Sequence, residues 1–306
     1  DTGDTFVYDN AVAAASESTA ITTPTKDTTP DAVISVAEVG TIAVAGTNGC
    51  ALSSTSTMAS GTNTITLGAI GTGDGAYVCT VTFTDTASNA AASLSLTSFT
   101  LDTTAPTIST VALATGDYVN NAQDESAQDL VITMSDTSAN GRVATATLNS
   151  ADYTCTISSN ACTASITSAG LKGLTDGTTY TFSVAISDAA GNAATAHTAE
   201  SFLYDVTAPS ISNVVPSWGA YLNAAEDNAD GTVTVTTLNA ADGSTVTVTG
   251  MGVTDTCTTT SNSCAVTVAG GDLRALSDGT TYTITVALTA DAAGNTATDD
   301  TGDTFL

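Results

Sequence analysis

Leu174-Thr-Asp-Gly-Thr-Thr-Tyr-Thr-Phe-Ser-Val184 and Leu276-Ser-Asp-Gly-Thr-Thr-Tyr-Thr-Ile-Thr-Val286 are two versions of one phrase, an Asp-Gly turn followed by alternating polar and apolar side chains. A period of two sends successive residues to opposite faces, so each phrase predicts a strand with one face in a core and the other in water. Tyr180 and Tyr282 stand at the strand entrance. They are expected to pack there with their hydroxyls bonded to backbone, as in a tyrosine corner. Thr232-Val-Thr-Val-Thr236 and Ser244-Thr-Val-Thr-Val-Thr-Gly250 alternate in the same way, with β-branched residues suited to a pleated surface. No amphipathic helical period stands out. Many short strands separated by turn signals predict an all-β chain built of sandwiches.

Two further phrases punctuate the chain. Phe202-Leu-Tyr-Asp-Val-Thr-Ala-Pro209 echoes Phe99-Thr-Leu-Asp-Thr-Thr-Ala-Pro106, and a decayed copy opens the chain as Phe6-Val-Tyr-Asp9. The proline of Thr-Ala-Pro excludes helix and extends the link into the next unit, so these phrases mark boundaries. Before each boundary comes Asp188-Ala-Ala-Gly-Asn192, Asp291-Ala-Ala-Gly-Asn295 or the weaker Asp85-Thr-Ala-Ser-Asn89. Acid, glycine and asparagine at that spacing predict a tight hairpin.

The order of these phrases resembles the bacterial immunoglobulin-like repeats of giant surface adhesins and biofilm proteins. The resemblance is good over residues 102–306 and poor over 9–101. It implies three tandem immunoglobulin-like β-sandwich domains in an extended rod: residues 9–104 (divergent), 105–207 and 208–306. Residues 1–8 would be a terminal strand equivalent to the end of a preceding repeat. In such repeats calcium sits where one domain meets the next. The matching positions are Asp85, Asp102 and Asp124 or Glu125 at the first junction, and Asp188, Asp205 and Glu226 or Asp227 at the second. Carboxylates gathered across a flexible link repel one another, and a bridging calcium would stiffen it.

Cysteine and charge bound the surroundings. Six cysteines fall as local pairs, Cys50 with Cys79, Cys155 with Cys162 and Cys257 with Cys264, which predicts three disulfides and an oxidising compartment. The two short pairs are expected to staple hairpins, and Cys50–Cys79 to join the two sheets of a sandwich. In 306 residues, 31 acids face only four basic residues, a formal charge of −27. Nucleic acid is excluded as a partner, because binding it requires Lys and Arg against phosphate. No run is long enough to insert in a bilayer. With 42% hydrophobic residues the chain has the material for thin cores. His197 is the only histidine and no Gly-x-Ser-x-Gly motif accompanies it, so no serine-nucleophile triad is supported.

The ends of the chain match. Asp1-Thr2-Gly3-Asp4-Thr5-Phe6 returns as Asp300-Thr301-Gly302-Asp303-Thr304-Phe305, and neither internal boundary carries it. The repeating unit is therefore the whole triplet. Either these residues are one period of a longer tandem array, or the leading strand adds to a sheet of a neighbouring copy. Both readings predict a non-enzymatic part of an extracellular or cell-surface filament, stalk or adhesin whose partners are copies of itself, head to tail. The alternative is an adhesin module for a polysaccharide or surface ligand, for which Trp218 would supply a stacking face.

Overall fold

The computed structural model describes residues 6–306 except 13, 55, 69, 71, 72, 196 and 299. Its strands form sheets around three hydrophobic clusters, which span residues 21–101, 108–204 and 214–305. The predicted all-β class is what the chain adopts. The middle cluster shows why. A three-stranded sheet of Ile108–Leu113, Gln128–Met134 and Ala161–Ile166 faces a five-stranded sheet that runs from Tyr118–Val119 through His197–Tyr204, Thr178–Ala185 and Val143–Leu148 to Ala151–Thr156. Leu130, Ile132 and Ala164 of one sheet and Ala146, Phe182, Val184 and Phe202 of the other are all buried, as alternation demands. The last cluster repeats the plan with sheets of three and four strands.

The phrases that decide the class behave as read. The backbone N–H of Thr175 donates to the Tyr180 hydroxyl at 2.8 Å, and that of Ser277 to the Tyr282 hydroxyl at 2.8 Å. Each phenol therefore closes the turn that precedes its own strand. Two short helices, Ser168–Lys172 and Gly270–Arg274, depart from the strand-only expectation. Each has five residues, too few for a helical period to register in sequence, and each seats one leucine, Leu171 or Leu273, in the core. A Cβ on Gly170 would meet the Tyr153 hydroxyl, which would have to move aside.

All three disulfides form and no cysteine is free. Their roles are the reverse of those expected. Cys155 lies in the five-stranded sheet and Cys162 in the three-stranded one, so the short bond ties sheet to sheet; Cys257–Cys264 does the same in the last cluster. Cys50 instead follows the strand Gly40–Gly46, whose neighbour Cys79–Asp85 holds its partner, so this bond closes the end of a single sheet. Spacing measures the loop between two cysteines, and sheet membership depends on where the chain crosses over.

Replacing Cys155 and Cys162 together by alanine should lower the unfolding free energy by about 2–3 kcal/mol, as loop closure gives for so short a ring. Far-ultraviolet dichroism should keep its strand signal while the denaturant midpoint falls. The phenol-to-backbone bonds should each contribute about 1 kcal/mol, measured as the loss in Tyr180→Phe and Tyr282→Phe.

Candidate functional site at the junctions

Each Asp-x-x-x-Asn hairpin is held by its own first and last residues. Asp188 Oδ1 accepts the Asn192 backbone N–H at 2.9 Å, and Asp188 Oδ2 accepts one hydrogen of the Asn192 amide at 2.9 Å. The second amide hydrogen goes to the carbonyl oxygen of Asp102, 2.7 Å away in the linker. Asn295 repeats this with Asp291 and the carbonyl of Asp205, at 2.8, 2.9 and 2.8 Å. Asn89 repeats it with Asp85, and reaches the carbonyl of Asp9 at a longer 3.4 Å. The short Asn amide offers two hydrogens in one plane, one for the hairpin carboxylate and one for the linker carbonyl. The turn needs a left-handed residue before it. Gly191 and Gly294 take φ 89° and 86°, and Ser88 is held at 72° in the weaker copy.

A second clasp comes from the Asp-Gly turns. Asp176 accepts the Val206 N–H at 2.8 Å and the Thr207 hydroxyl. Asp74 accepts the Thr103 N–H and hydroxyl, each at 2.7 Å, and the Thr104 hydroxyl. The linker threonines and the Val206 N–H donate these bonds, and the bonds hold both carboxyls below the usual range, led by Thr207 for Asp176 and Thr104 for Asp74. Asp205 goes the other way. Burial raises its pKa first, and the charges of Asp291 and Asp176 raise it further.

These contacts regroup the acids expected to bind calcium. The strand Thr178–Ala185 runs antiparallel to His197–Tyr204, with Thr178 opposite Tyr204 and Val184 opposite His197. The hairpin therefore lies one strand length, about 26 Å for eight residues, from Asp205. Asp188 meets the Asp102 linker instead, and Asp291, read only as part of a hairpin, meets Asp205. Asp85 likewise leaves Asp102 for Asp9 and Glu38, with carboxylate oxygens of the three within 4.8 Å of one another. Glu38 carried no motif to single it out.

Asp124 lies at the trailing end of the middle cluster, 4% exposed, where its Oδ2 accepts the Tyr204 hydroxyl at 2.7 Å. Burial, with that carboxylate next, keeps the phenol well above its usual pKa and so a donor. The other Asp124 oxygen is buried with no hydrogen-bond partner. Beside it Asn120 donates to the carbonyl of Ala293 at 2.8 Å, and the Asn121 N–H to Asn295 Oδ1 at 2.9 Å. The trailing end of one cluster thereby meets the hairpin of the next. Glu125 pairs with Lys172 at 2.7 Å. Glu226 accepts the N–H and amide of Asn223, closing a turn as Gln123 closes the one at Asn120. Since neutral Gln123 does the same work, the charge of Glu226 is not what that position uses. Asp227 sits beside it at the trailing end of the last cluster. Among the assembly residues, Asp1 to Thr5 lie outside the described residues. Asp300–Phe305 is a strand paired with Tyr282–Leu288.

No family model matches the sequence, and no match was found among curated proteins. Among solved structures, the chain is similar to a Ca2+-stabilized adhesin that helps an Antarctic bacterium reach out and bind ice. Identity is 25% over 96% of this chain and 73% of the other, with TM-score 0.49. It is similar also to a 1.5-MDa bacterial ice-binding adhesin described for host cell surface retention, at 23% identity, 96% and 97% coverage and TM-score 0.44. A third is the BSP domain of a biofilm-associated protein, at 14% identity, 97% and 66% coverage and TM-score 0.25. These three structural neighbours are bacterial adhesin and biofilm-protein domains. Three disulfides with no free cysteine belong to an oxidising, extracellular or cell-surface setting. No helix among the described residues is long and apolar enough to cross a membrane.

Asn192→Ala and Asn295→Ala remove both the hairpin bond and the linker bond. Each should cost about 1–3 kcal/mol, because the hairpin carboxylate of Asp188 or Asp291 also loses one of its two donors, keeping only the backbone N–H. Thr179→Ser, at an exposed strand position, is the control and should change stability by less than about 0.5 kcal/mol. The acid dependence has two arms. Asp205, with its pKa raised by folding, destabilises the metal-free chain at neutral pH, and protonation through its raised folded value relieves this. Asp74 and Asp176, with pKa values lowered by folding, stabilise it above the ordinary carboxylate range, and that contribution is lost as pH falls through their lowered values. Thermal midpoints in chelator should rise on mild acidification and then fall, with Asp205→Asn reducing the rising arm, to which Asp303 also contributes, and leaving the falling arm unchanged.

Proposed function

We propose that this chain is a non-enzymatic structural unit of an extracellular filament, stalk or adhesin. In this reading the three clusters are tandem immunoglobulin-like sandwiches at residues 9–104, 105–207 and 208–306, set in an extended rod that joins end to end, and residues 1–8 are a terminal strand. The observation that carries it is the clasp made three times over, in which a hairpin asparagine of each cluster holds the carbonyl of the linker that enters it. Such a contact fixes the direction of a link and does nothing for catalysis. The cavity of about 470 Å³ beside Gly141 and Ala193 is walled by small and apolar side chains with Arg142 as its one charge, a poor setting for acid–base chemistry.

Calcium at the junctions is part of the proposal. The donor sets are all hard oxygen, as the ion requires. Asp9, Glu38 and Asp85 would hold it at the leading end. Asp205 and Asp291, with Asp124 and Asp176 beside them, would do so between the second and third sandwiches. The raised pKa of Asp205 and the unpartnered oxygen of Asp124 both describe carboxylates short of a positive neighbour. The polysaccharide-binding alternative loses its platform, since Trp218 is 6% exposed and packs edge-on against Phe305 at 5.3 Å.

Calcium at millimolar concentration should raise the thermal midpoint over that in chelator and lengthen the particle in small-angle scattering. Asp205→Asn should raise the midpoint in chelator and shrink the calcium response. A midpoint and a scattering profile indifferent to calcium in the unaltered chain would sink the metal reading. Compact particles in electron micrographs of native material would sink the rod.

A further inference from the structure

The two internal junctions follow one plan with a different residue at the same point. At the first, the Asp102 N–H donates to the carbonyl of Thr25 at 2.9 Å; at the second, the Asp205 N–H donates to the carbonyl of Val119 at 3.0 Å. Thr25 bridges Leu101 in parallel as Val119 pairs with Tyr204. The residue after each is the one that meets the next hairpin. At the second junction it is Asn120, a neutral amide that donates to the carbonyl of Ala293 at 2.8 Å. At the first it is Lys26, whose ammonium donates to the carbonyl of Gly191 at 2.7 Å, across 165 positions of sequence. The tip of the lysine lies over that glycine, since a Cβ on Gly191 would stand 3.8 Å from Nζ and 3.9 Å from Cε.

The acids differ in step with this exchange. Six positions separate Thr25 from the strand Asp31–Val36, against nine between Val119 and Gln128–Met134. The longer loop contains Glu125 and the buried Asp124. The shorter contains Asp27, which is exposed and turned to its own loop, where Oδ1 accepts the Thr29 N–H at 2.8 Å and hydroxyl at 3.2 Å. The first junction thus carries a cation and lacks the buried carboxylate. On the second side Lys172 is paired with the exposed Glu125 at 2.7 Å, and beyond burial the charges that raise the pKa of Asp205 are those of Asp291 and Asp176.

We propose that the Lys26 ammonium does at the first junction the work that calcium does at the second, so that the chain has one joint held without an ion and one held by it. This rests on the calcium reading above and says which joint responds. Lys26 follows the residue that pairs with the linker and reaches the hairpin headed by Asp188, so its charge stands across the link that Asp102 and the buried Asp188 share. A positive charge there offsets the repulsion of the two carboxylates. An ammonium has one charge and three donors on a flexible stem, and as part of the chain it is lost neither to dilution nor to a chelator. Asn120 supplies the same kind of bond without charge, which leaves the second set of acids to a cation from solution.

The test labels the full chain at one exposed strand position in each cluster, Thr64, Thr163 and Thr267. Spin labels on non-cysteine side chains, which spare the disulfides, give a distance distribution across the first junction from positions 64 and 163, and across the second from 163 and 267. In chelator the first distribution should be narrow and should stay unchanged in millimolar calcium, while the second should be broad and should narrow with the ion. Lys26→Gln keeps a donor and drops the charge; it should broaden the first distribution in chelator and leave the second alone. Lys26→Arg should keep the first narrow. A first junction that narrows with calcium in the unaltered chain, or that Lys26→Gln leaves unchanged, would overturn the role of Lys26. Broadening of the first junction by Lys26→Gln, in a chain whose second junction ignores calcium, would uphold the lysine joint while the metal reading fails.

Discussion

One amide group sets the geometry of each junction. Asn192 and Asn295 each have two hydrogens on nitrogen, and the structure gives one to the hairpin aspartate and one to a linker carbonyl. Neither bond suffices alone. Without the aspartate the amide plane would rotate, and without the linker carbonyl the hairpin would be an ordinary surface turn. Because the aspartates are nearly or partly buried, with Asp188 only 1% exposed, the pair also resolves a problem of its own, since a buried carboxylate must be matched by donors. The hairpin N–H and the amide supply them. The linker is thus fixed by a residue whose orientation is already fixed.

That dependence explains what the sequence disclosed and what it withheld. The Asp-Gly turns, the alternation after them and the tyrosines at the strand entrances are local, and each is legible because a few adjacent residues determine it. Tyr180 and Tyr282 find their backbone partners five residues away. The grouping of the junction acids is not local. Asp188 and Asp205 are separated by one strand that runs the length of the sandwich, so residues near in sequence lie at opposite ends. The phrase Asp-Ala-Ala-Gly-Asn contained the missing partner, Asn, but its second hydrogen could be assigned only after the strand directions were known. All three expected disulfide pairs form, but which sheets they join was not legible, for the same reason. A seven-residue separation suits a hairpin, and it also suits the arch where the chain leaves one sheet for the other, as it does between Cys155 and Cys162.

Threonine has a different weight once the linkers are seen. In the strands it keeps one face wet. In Asp-x-Thr-Ala-Pro it is a donor aimed back at the preceding cluster, through Thr207 to Asp176 and Thr103 and Thr104 to Asp74. The link is therefore grasped from both sides, by an acid behind and by an amide ahead. A chain so poor in Lys and Arg has few ion pairs with which to fix domain orientation. Neutral donors placed against carboxylates take over that task, and unlike surface ion pairs they keep most of their strength in salt.

In the divergent first segment one of these donors is missing, and the acid it would have served is left with other acids. Two residues past the strand Gln128–Met134 stands Asp136, which accepts the N–H of Thr107, next to the linker proline. Hydrogen bonds from Ser138 first, and from Thr107 as well, hold its pKa down. Two residues past the equivalent strand Asp31–Val36 stands Glu38, but the linker there reads Asp9-Asn10-Ala11 and has no Thr-Ala-Pro. Glu38 instead shares its surroundings with Asp9 and Asp85. Where the Thr-Ala-Pro sequence is lost, an acid served by hydrogen-bond donors gives way to one of three neighbouring carboxylates. Where the repeat pattern decays, three carboxylates stand together, and of these Asp85 keeps the Asn89 N–H and amide as its donors.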